Sequence, residues 1–141
     1  DVIKHVYGGD AAKAKENNIG EVLYNRGLVN AMFGVEAIRT AMAKFGNKSM
    51  TGEQVRWGLE NLNMTKARLK ELGMEGFTAP VKVSCADHET GGPVLFQQWD
   101  GNAWKVISKP LTPMTDIVRP MIEKDAAAYA KENKITPRSC S

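Results

Sequence analysis

The spacing of apolar residues changes at Gly76, and this change restricts the chain to an architecture that mixes helices and strands. Between 27 and 45 the apolar residues recur every three or four positions, which is the period of a helix with one buried face. The members of this stripe are Leu28, Met32, Val35, Ile38 and Met42. After Gly76 the chain carries three short runs rich in β-branched and aromatic residues, which predict strands.

Further helices are predicted before Gly76. Residues 2–16 combine helical spacing with a Gly8-Gly9 break and predict two short helices. Thr51 with Gln54 three positions later predicts a capping box and a helix of about ten residues. Thr65 predicts the start of a short helix that ends at Gly73. The run "GEVLYN" at 20–25 predicts a short strand, so the expected order is helices, one strand, helices, three strands and a final helix.

The three runs after Gly76 are "APVKVSC", "PVLFQQW" and "AWKVIS", and we expect two tight turns, "ADHETGG" and "DGN", to join them. Asp100-Gly101 is a strong hairpin signal because glycine adopts the positive φ that such turns require. Trp99 and Trp104 flank this turn and are predicted to meet across the hairpin. A final helix is predicted over 116–133, with Pro120 in or near its first turn.

Length and charge limit the function classes. With 141 residues we expect one domain. The formal net charge is +3 and the basic residues are scattered, so we expect no nucleic-acid partner. No run has the apolar length of a membrane helix. The chain opens at Asp1 without an initiator Met or a signal-peptide pattern, and we interpret it as a processed or truncated chain.

The stretch "SCADHETGGP" places Cys85, Asp87, His88 and Glu89 close together, which raises the question of a metal or catalytic site. In an extended strand alternate residues face opposite sides, so the four side chains do not converge on one ion. We therefore predict a hairpin turn, with no metal and no cofactor. A small thiol hydrolase using Cys85 and His88 is the less favoured alternative.

The chain has two cysteines, Cys85 and Cys140, which are enough for one disulfide. In an oxidising compartment a bond between them would close a loop of about 55 residues and stabilise the fold by roughly 4 kcal/mol. Such a bond would hold the C-terminal tail in place.

The stretch "LYNRGLVNAMF" carries a second candidate site. If the strand at 20–25 ends before the helix, Tyr24, Asn25 and Arg26 lie at the carboxyl edge of a sheet, where ligands bind in α/β folds. Arg26 could pair with a ligand carboxylate and Tyr24 could stack on a ligand. The structural alternative, which we favour slightly, is that Tyr24 packs, Asn25 caps the helix and Arg26 is solvated.

Three segments in order carry a family resemblance: "VLYNRGLVNAMFGVEAIRTAMAKFG", "TGEQVRWGLENL" and "GFTAPVKVSCADHETGGPVLFQQWDGNAWKVIS". Together they resemble the C-terminal portion of type I periplasmic solute-binding proteins of ABC transporters, in the leucine/isoleucine/valine class. The resemblance implies a two-lobed, Rossmann-like α/β fold of the periplasmic binding protein-like I type. It also implies a periplasmic address, which suits a disulfide between Cys85 and Cys140.

The resemblance assigns about 20–75 to the strand and helices of the N-terminal lobe, about 77–110 to a lobe crossing and hairpin, and 116–134 to the C-terminal helix. The implied partners are a small-molecule ligand, an ABC-transporter permease and the missing N-terminal portion of the same protein. Because parts of both lobes are absent, we also expect the chain to self-associate if that portion is lacking.

The implied function is non-enzymatic binding of a solute between two lobes. Met32 and Phe33 fall where the family often has an aromatic and an acidic residue, and the absent acidic side chain extends the expected ligands from branched-chain amino acids to organic or aromatic acids. Tyr24, Asn25, Arg26, Met32 and Phe33 are the expected ligand-binding residues. A ligand-sensing receptor ectodomain of the same fold is the alternative.

Overall fold

The computed structural model describes residues 2–89 and 92–140. The chain divides into two compact units, unit 1 (Asp1–Leu62) and unit 2 (Asn63–Ser141). The helices of unit 1 are α1 (Val2–Tyr7), α2 (Ala11–Glu16), α3 (Val22–Phe45) and α4 (Gly52–Glu60). The elements of unit 2 are β1 (Asn63–Met64), α5 (Lys66–Glu71), β2 (Val81–Lys82), β3 (Gln97–Trp99), β4 (Trp104–Val106) and α6 (Thr115–Glu132).

The two short helices predicted at the start of the chain are confirmed as α1 and α2. Gly8 and Gly9 both have positive φ and end α1, because a glycine enters this region without the steric cost that other residues meet. Asp10 begins α2 by accepting a hydrogen bond from the Lys13 backbone N–H at 3.0 Å.

The strand predicted at 20–25 is wrong, because α3 already begins at Val22. Glu21 has extended backbone dihedrals, and the next residue enters the helix. A short apolar run such as "VLY" fits a strand or a first helical turn equally well by composition. Here it continues the three- and four-residue spacing of the stripe that follows, and the helix extends over it.

The core of unit 1 lies between α3 and α4. Gly58 of α4 lies directly against Ala37 and Ala41 of α3, both fully buried. A Cβ atom at position 58 would approach the Ala37 carbonyl oxygen to 2.1 Å, so this close packing requires glycine. One turn further along, the Phe45 and Trp57 rings pack edge to face with centroids 5.3 Å apart.

The helix starts predicted at Thr51 and Thr65 are confirmed. The Thr51 hydroxyl accepts from the Gln54 backbone N–H at 3.3 Å, and the Gln54 side chain accepts from the Thr51 backbone N–H at 3.0 Å. This reciprocal pair satisfies two donors that the first turn of α4 leaves without helical partners. In unit 2 the Thr65 hydroxyl accepts from the Arg68 backbone N–H at 3.1 Å and begins α5.

The strands of unit 2 form two separate antiparallel pairs. β1 pairs with β2 in the register Asn63↔Lys82 and Met64↔Val81. β3 pairs with β4, and Trp99 lies opposite Trp104. The predicted hairpin at Asp100-Gly101 is therefore confirmed. The pairing predicted between the first two runs across "ADHETGG" is wrong, because the first run pairs antiparallel with β1, a partner that has no strand pattern of its own. Residues 90 and 91 of this stretch lie outside the described residues.

The predicted final helix is confirmed as α6. Pro120 is its sixth residue and lies just beyond the first turn. The sequence predicted it in or near that turn. At that position the missing N–H removes one hydrogen bond of the helix, to the carbonyl of residue 116. None of the residues of α6 is buried in the structure.

The predicted fold class is wrong. The described residues form a helix-rich chain with two two-stranded antiparallel sheets, in place of part of a two-lobed Rossmann-like fold. The physical reason is that "GEVLYN" continues a helix, and "APVKVSC" contributes only two residues to a local antiparallel pair. The assignment of 20–75, 77–110 and 116–134 to lobes stays a prediction.

Candidate functional site

Arg119, in the second turn of α6, is a polar side chain of unit 2 with three hydrogen-bond partners. Its Nη1 donates to Asp87 Oδ1 at 3.3 Å and its Nε donates to Glu123 Oε1 at 2.9 Å. Its Nη2 donates to the Ala86 carbonyl oxygen. One planar guanidinium thus joins its own helix to a loop that lies more than thirty positions earlier. The Glu123 carboxylate first, and then Asp87, hold the pKa of Arg119 above its ordinary value.

The loop that Arg119 contacts is ordered by its own backbone. Asp87 donates its backbone N–H to the Ser84 hydroxyl at 3.1 Å, and Ser84 donates its backbone N–H to the Asp87 carbonyl at 2.9 Å. The Glu89 backbone N–H donates to Asp87 Oδ1 at 3.1 Å. The stretch "SCADHE" therefore forms a tight turn in which the Asp87 carboxylate is a shared acceptor.

A disulfide joins the same loop to the C-terminal tail. Cys85 and Cys140 are bonded, with their Cα atoms 5.6 Å apart and 55 positions between them in sequence. Arg138 Nη2 lies 3.0 Å from Cys85 Sγ. We name the turn 84–89, the bonded tail and Arg119 together the loop clamp, because they fix one loop from two directions.

Beside the loop clamp lies a half-open cavity of about 300 Å³. Two carboxylates and one guanidinium face it across an apolar wall. Its lining residues are Asp87, Glu89, Thr112, Pro113, Met114, Thr115, Val118, Arg119 and Ile122. The Asp87 charge is matched by Arg119, and most of the cavity wall is apolar.

The loop clamp cross-links the turn 84–89 to α6 and to the C-terminal tail. In the structure the sulfur of Cys85 is bonded to Cys140, and a disulfide sulfur is no nucleophile, so the alternative of a thiol hydrolase using Cys85 and His88 has no support. Among residues 2–89 and 92–140, no group of three or more His, Cys, Asp or Glu side chains is arranged to hold a metal ion.

The turn of the β3–β4 hairpin holds the carboxyl group whose pKa is most clearly lowered. Lys105 Nζ lies 2.6 Å from Asp100 Oδ2, while Asp100 Oδ1 accepts from the backbone N–H groups of Asn102 at 2.9 Å and Ala103 at 2.8 Å. The Lys105 hydrogen bond, followed by these two backbone donors, lowers the pKa of Asp100 to about 2.

The ligand-binding residues predicted from sequence all lie on α3. Tyr24, Asn25 and Arg26 occupy its first turn, and Asn25 Nδ2 donates to the Gly20 carbonyl at 2.9 Å. Met32 and Phe33 follow two turns later. By the helical period these five side chains spread over about half of the circumference, because no strand end gathers them at one edge. Their role in binding stays a prediction.

Sequence reasoning missed Arg119. Its pairing with Glu123 at i+4 is visible on a predicted helix. Its pairing with Asp87 is not, because nothing in the local pattern of "ADHET" or "IVRPMIE" indicates that the two segments meet.

No protein family and no curated protein matches the chain. A solved structure described as the crystal structure of an ABC transporter permease from the Pseudomonas fluorescens group is similar to it, with 45% sequence identity and a TM-score of 0.84. The similarity covers 99% of this chain and 34% of that chain. The chain thus spans about a third of the length of the solved one. Within residues 2–89 and 92–140, no helix combines the length and apolar composition needed to cross a membrane.

This finding supports the relation to ABC transporters and contradicts the identification as a periplasmic solute-binding protein, because the similar chain is described as a permease. The predicted binding of an amino acid or organic acid between lobes, the separate permease partner, the periplasmic address and the alternative of a receptor ectodomain all follow from that identification. They are wrong for the same reason.

Proposed function

We propose that the chain is part of the permease component of an ABC transporter and works at a membrane as one segment of that larger protein. The observation that carries the proposal is the similarity to the solved permease chain, at 45% identity over 99% of the present chain. The TM-score of 0.84 supports the same assignment. The role proposed for this segment is structural.

The loop clamp supports a structural role. Its polar groups are used in holding the turn 84–89 to α6, and its sulfur atoms are used in the disulfide. A thiol count tests the non-catalytic part of the proposal: the unreduced protein is expected to take up no iodoacetamide at Cys85. Rapid, pH-dependent alkylation of Cys85 before reduction would contradict it.

Cell fractionation tests the permease assignment. The native protein that contains this chain, detected through an epitope tag, is expected in the membrane fraction and to stay there after washing with high salt and with alkaline carbonate. A membrane-anchored marker and a soluble marker run in the same fractionation as controls. Recovery of the protein in the fluid released by osmotic shock, together with the soluble marker, would contradict the proposal.

A further inference from the structure

Helix α6 has an apolar face that nothing in the described part of the chain buries. Ile117 and Met121 are 58% and 62% exposed, and their neighbours Val118 and Ile122 are 46% and 42% exposed. Spacings of one, four and five positions place these four side chains side by side on the helix. We name them the α6 face.

An amphipathic helix of a folded domain normally buries its apolar stripe. α6 has such a stripe but no buried residue, and it makes no extensive contact with another helix or strand of the described residues. The hydrogen bonds of Arg119 to Asp87 and to the Ala86 carbonyl attach it to the turn 84–89. Isolated exposed apolar residues are ordinary, whereas a contiguous group on an otherwise unpacked helix marks an interaction surface.

We propose that the α6 face docks against the remainder of a longer polypeptide of which this chain is one segment. In the solved similar chain, about two thirds of the length lies outside the matched region. The share of that chain beyond the match is large enough to supply a covering surface. The charge of α6 favours protein over lipid as the occupant. Four acidic and three basic residues lie on the helix, and an anionic membrane surface prefers a basic one.

This inference goes beyond the proposed permease function and does not depend on it. It requires only that the chain be one segment of a longer polypeptide, as the matched region is in the solved protein. Cell fractionation can therefore refute the permease assignment and leave the docking surface standing, and the experiment below can do the reverse.

The test uses a chimera in which this chain replaces the matching third of the solved protein. The double variant Ile117→Asp/Met121→Asp is expected to lower the thermal midpoint of the chimera by about 5–10 °C, because two charges would then be buried at an apolar contact. In the 141-residue chain alone the same variant is expected to shift the midpoint by no more than about 2 °C, because both side chains are exposed there.

Ala127→Asp is the matched control. It adds a charge on the opposite side of α6 by the helical period and is expected to have an equally small effect in both proteins. Hydrogen exchange gives an independent measurement: amides of 117–129 are expected to exchange more slowly in the chimera than in the chain alone.

Four outcomes would overturn the proposal. The first is an equally small effect of the double variant in both proteins, and the second is a chimera that does not fold although the parent protein does. The third is a dimer of the 141-residue chain, seen by light scattering and abolished by the double variant, which would assign the α6 face to a second copy. The fourth is binding to anionic vesicles that the double variant abolishes, which would assign it to lipid.

Discussion

The helix pair α3–α4 of unit 1 and the loop clamp of unit 2 are held together by different kinds of interaction. In unit 1, Gly58 lets the α4 backbone lie against Ala37 and Ala41, and Phe45 packs on Trp57. In unit 2, α6 buries no side chain and is attached by Arg119 and by the bonded tail. The comparison teaches that the α3–α4 pair depends on close packing, whereas the attachment of α6 depends on individual cross-links.

The exposed surface shows the same difference. Of the 22 large apolar side chains that the structure describes as exposed, sixteen belong to unit 2 and six to unit 1. Among residues 2–89 and 92–140, the large side chains that are fully buried are Met64 and Leu69, and both lie near the first strand pair of unit 2. The β3–β4 and α6 regions thus have little apolar core of their own, and this is why their cross-links matter.

Removal of the disulfide is expected to have the largest effect. The double variant Cys85→Ser/Cys140→Ser should lower the free energy of unfolding of unit 2 by about 4 kcal/mol, because the unfolded chain regains the freedom that a 55-position loop removes. Urea titration followed by a signal from α6 and the hairpin measures it. Chemical reduction of the unaltered chain is the control and should give the same loss. A change below about 0.5 kcal/mol would contradict the role given to this bond.

Substitution of Gly58 is expected to have the next largest effect, and to act on unit 1. Gly58→Ala should lower the free energy of unfolding by about 3 kcal/mol, because the new methyl group would overlap the Ala37 carbonyl and push the helices apart. Gly34→Ala is the matched control. Gly34 lies within α3 with open space around its Cβ position, so this variant should be neutral or stabilising by about 0.5–1 kcal/mol. Equal effects of the two variants would contradict the close packing.

Loss of Arg119 is expected to have a smaller and more local effect. Arg119→Gln removes the pairs with Asp87 and Glu123, and should speed hydrogen exchange in the turn 84–89 by no more than about fivefold, because these are partly exposed ion pairs. Arg56→Gln is the control, since Arg56 pairs only within α4, with Glu53. The account would be wrong on this point if Arg56→Gln loosened the turn 84–89 as much as Arg119→Gln does.

The pH dependence of the hairpin is expected to be the smallest effect. The pKa of Asp100 is lowered to about 2, so its ionised form stabilises the folded hairpin. This contribution is fully present above the ordinary pKa near 3.8 and is lost as the pH falls towards 2. Circular dichroism of the Trp99–Trp104 pair, whose ring centroids are 5.7 Å apart, should report the change.

Asp100→Asn keeps the acceptor for the turn but has no charge for Lys105. This variant should give at neutral pH the weakened hairpin signal that the unaltered chain has near pH 2, and should show no further acid transition between about pH 4 and pH 2. An unaltered acid transition in the variant would show that Asp100 is not its cause.

The elements that the sequence predicts well are those whose signals are local. The capping box at Thr51, the hairpin turn at Asp100-Gly101 and the final helix predicted over 116–133 each depend on residues within a few positions of one another. The same reason makes the pairing of Trp99 with Trp104 predictable, because the turn length fixes the register.

The elements that the sequence does not predict depend on distant partners. β2 pairs with β1 across α5, and β1 is only two residues long and has no strand pattern. Arg119 meets Asp87 across 32 positions. The strand predicted at 20–25 is wrong because six residues do not distinguish a strand from the start of a long helix. For that reason the predicted ligand-binding residues of α3 do not lie together at the edge of a sheet.

The most direct test of the difference between the two units is hydrogen exchange at residue resolution, with and without a reducing agent. We expect reduction to speed exchange strongly in the turn 84–89 and in α6, and to leave α3 and α4 unchanged, because packing alone holds unit 1. Equal loss of protection in both units, or none in either, would contradict the account.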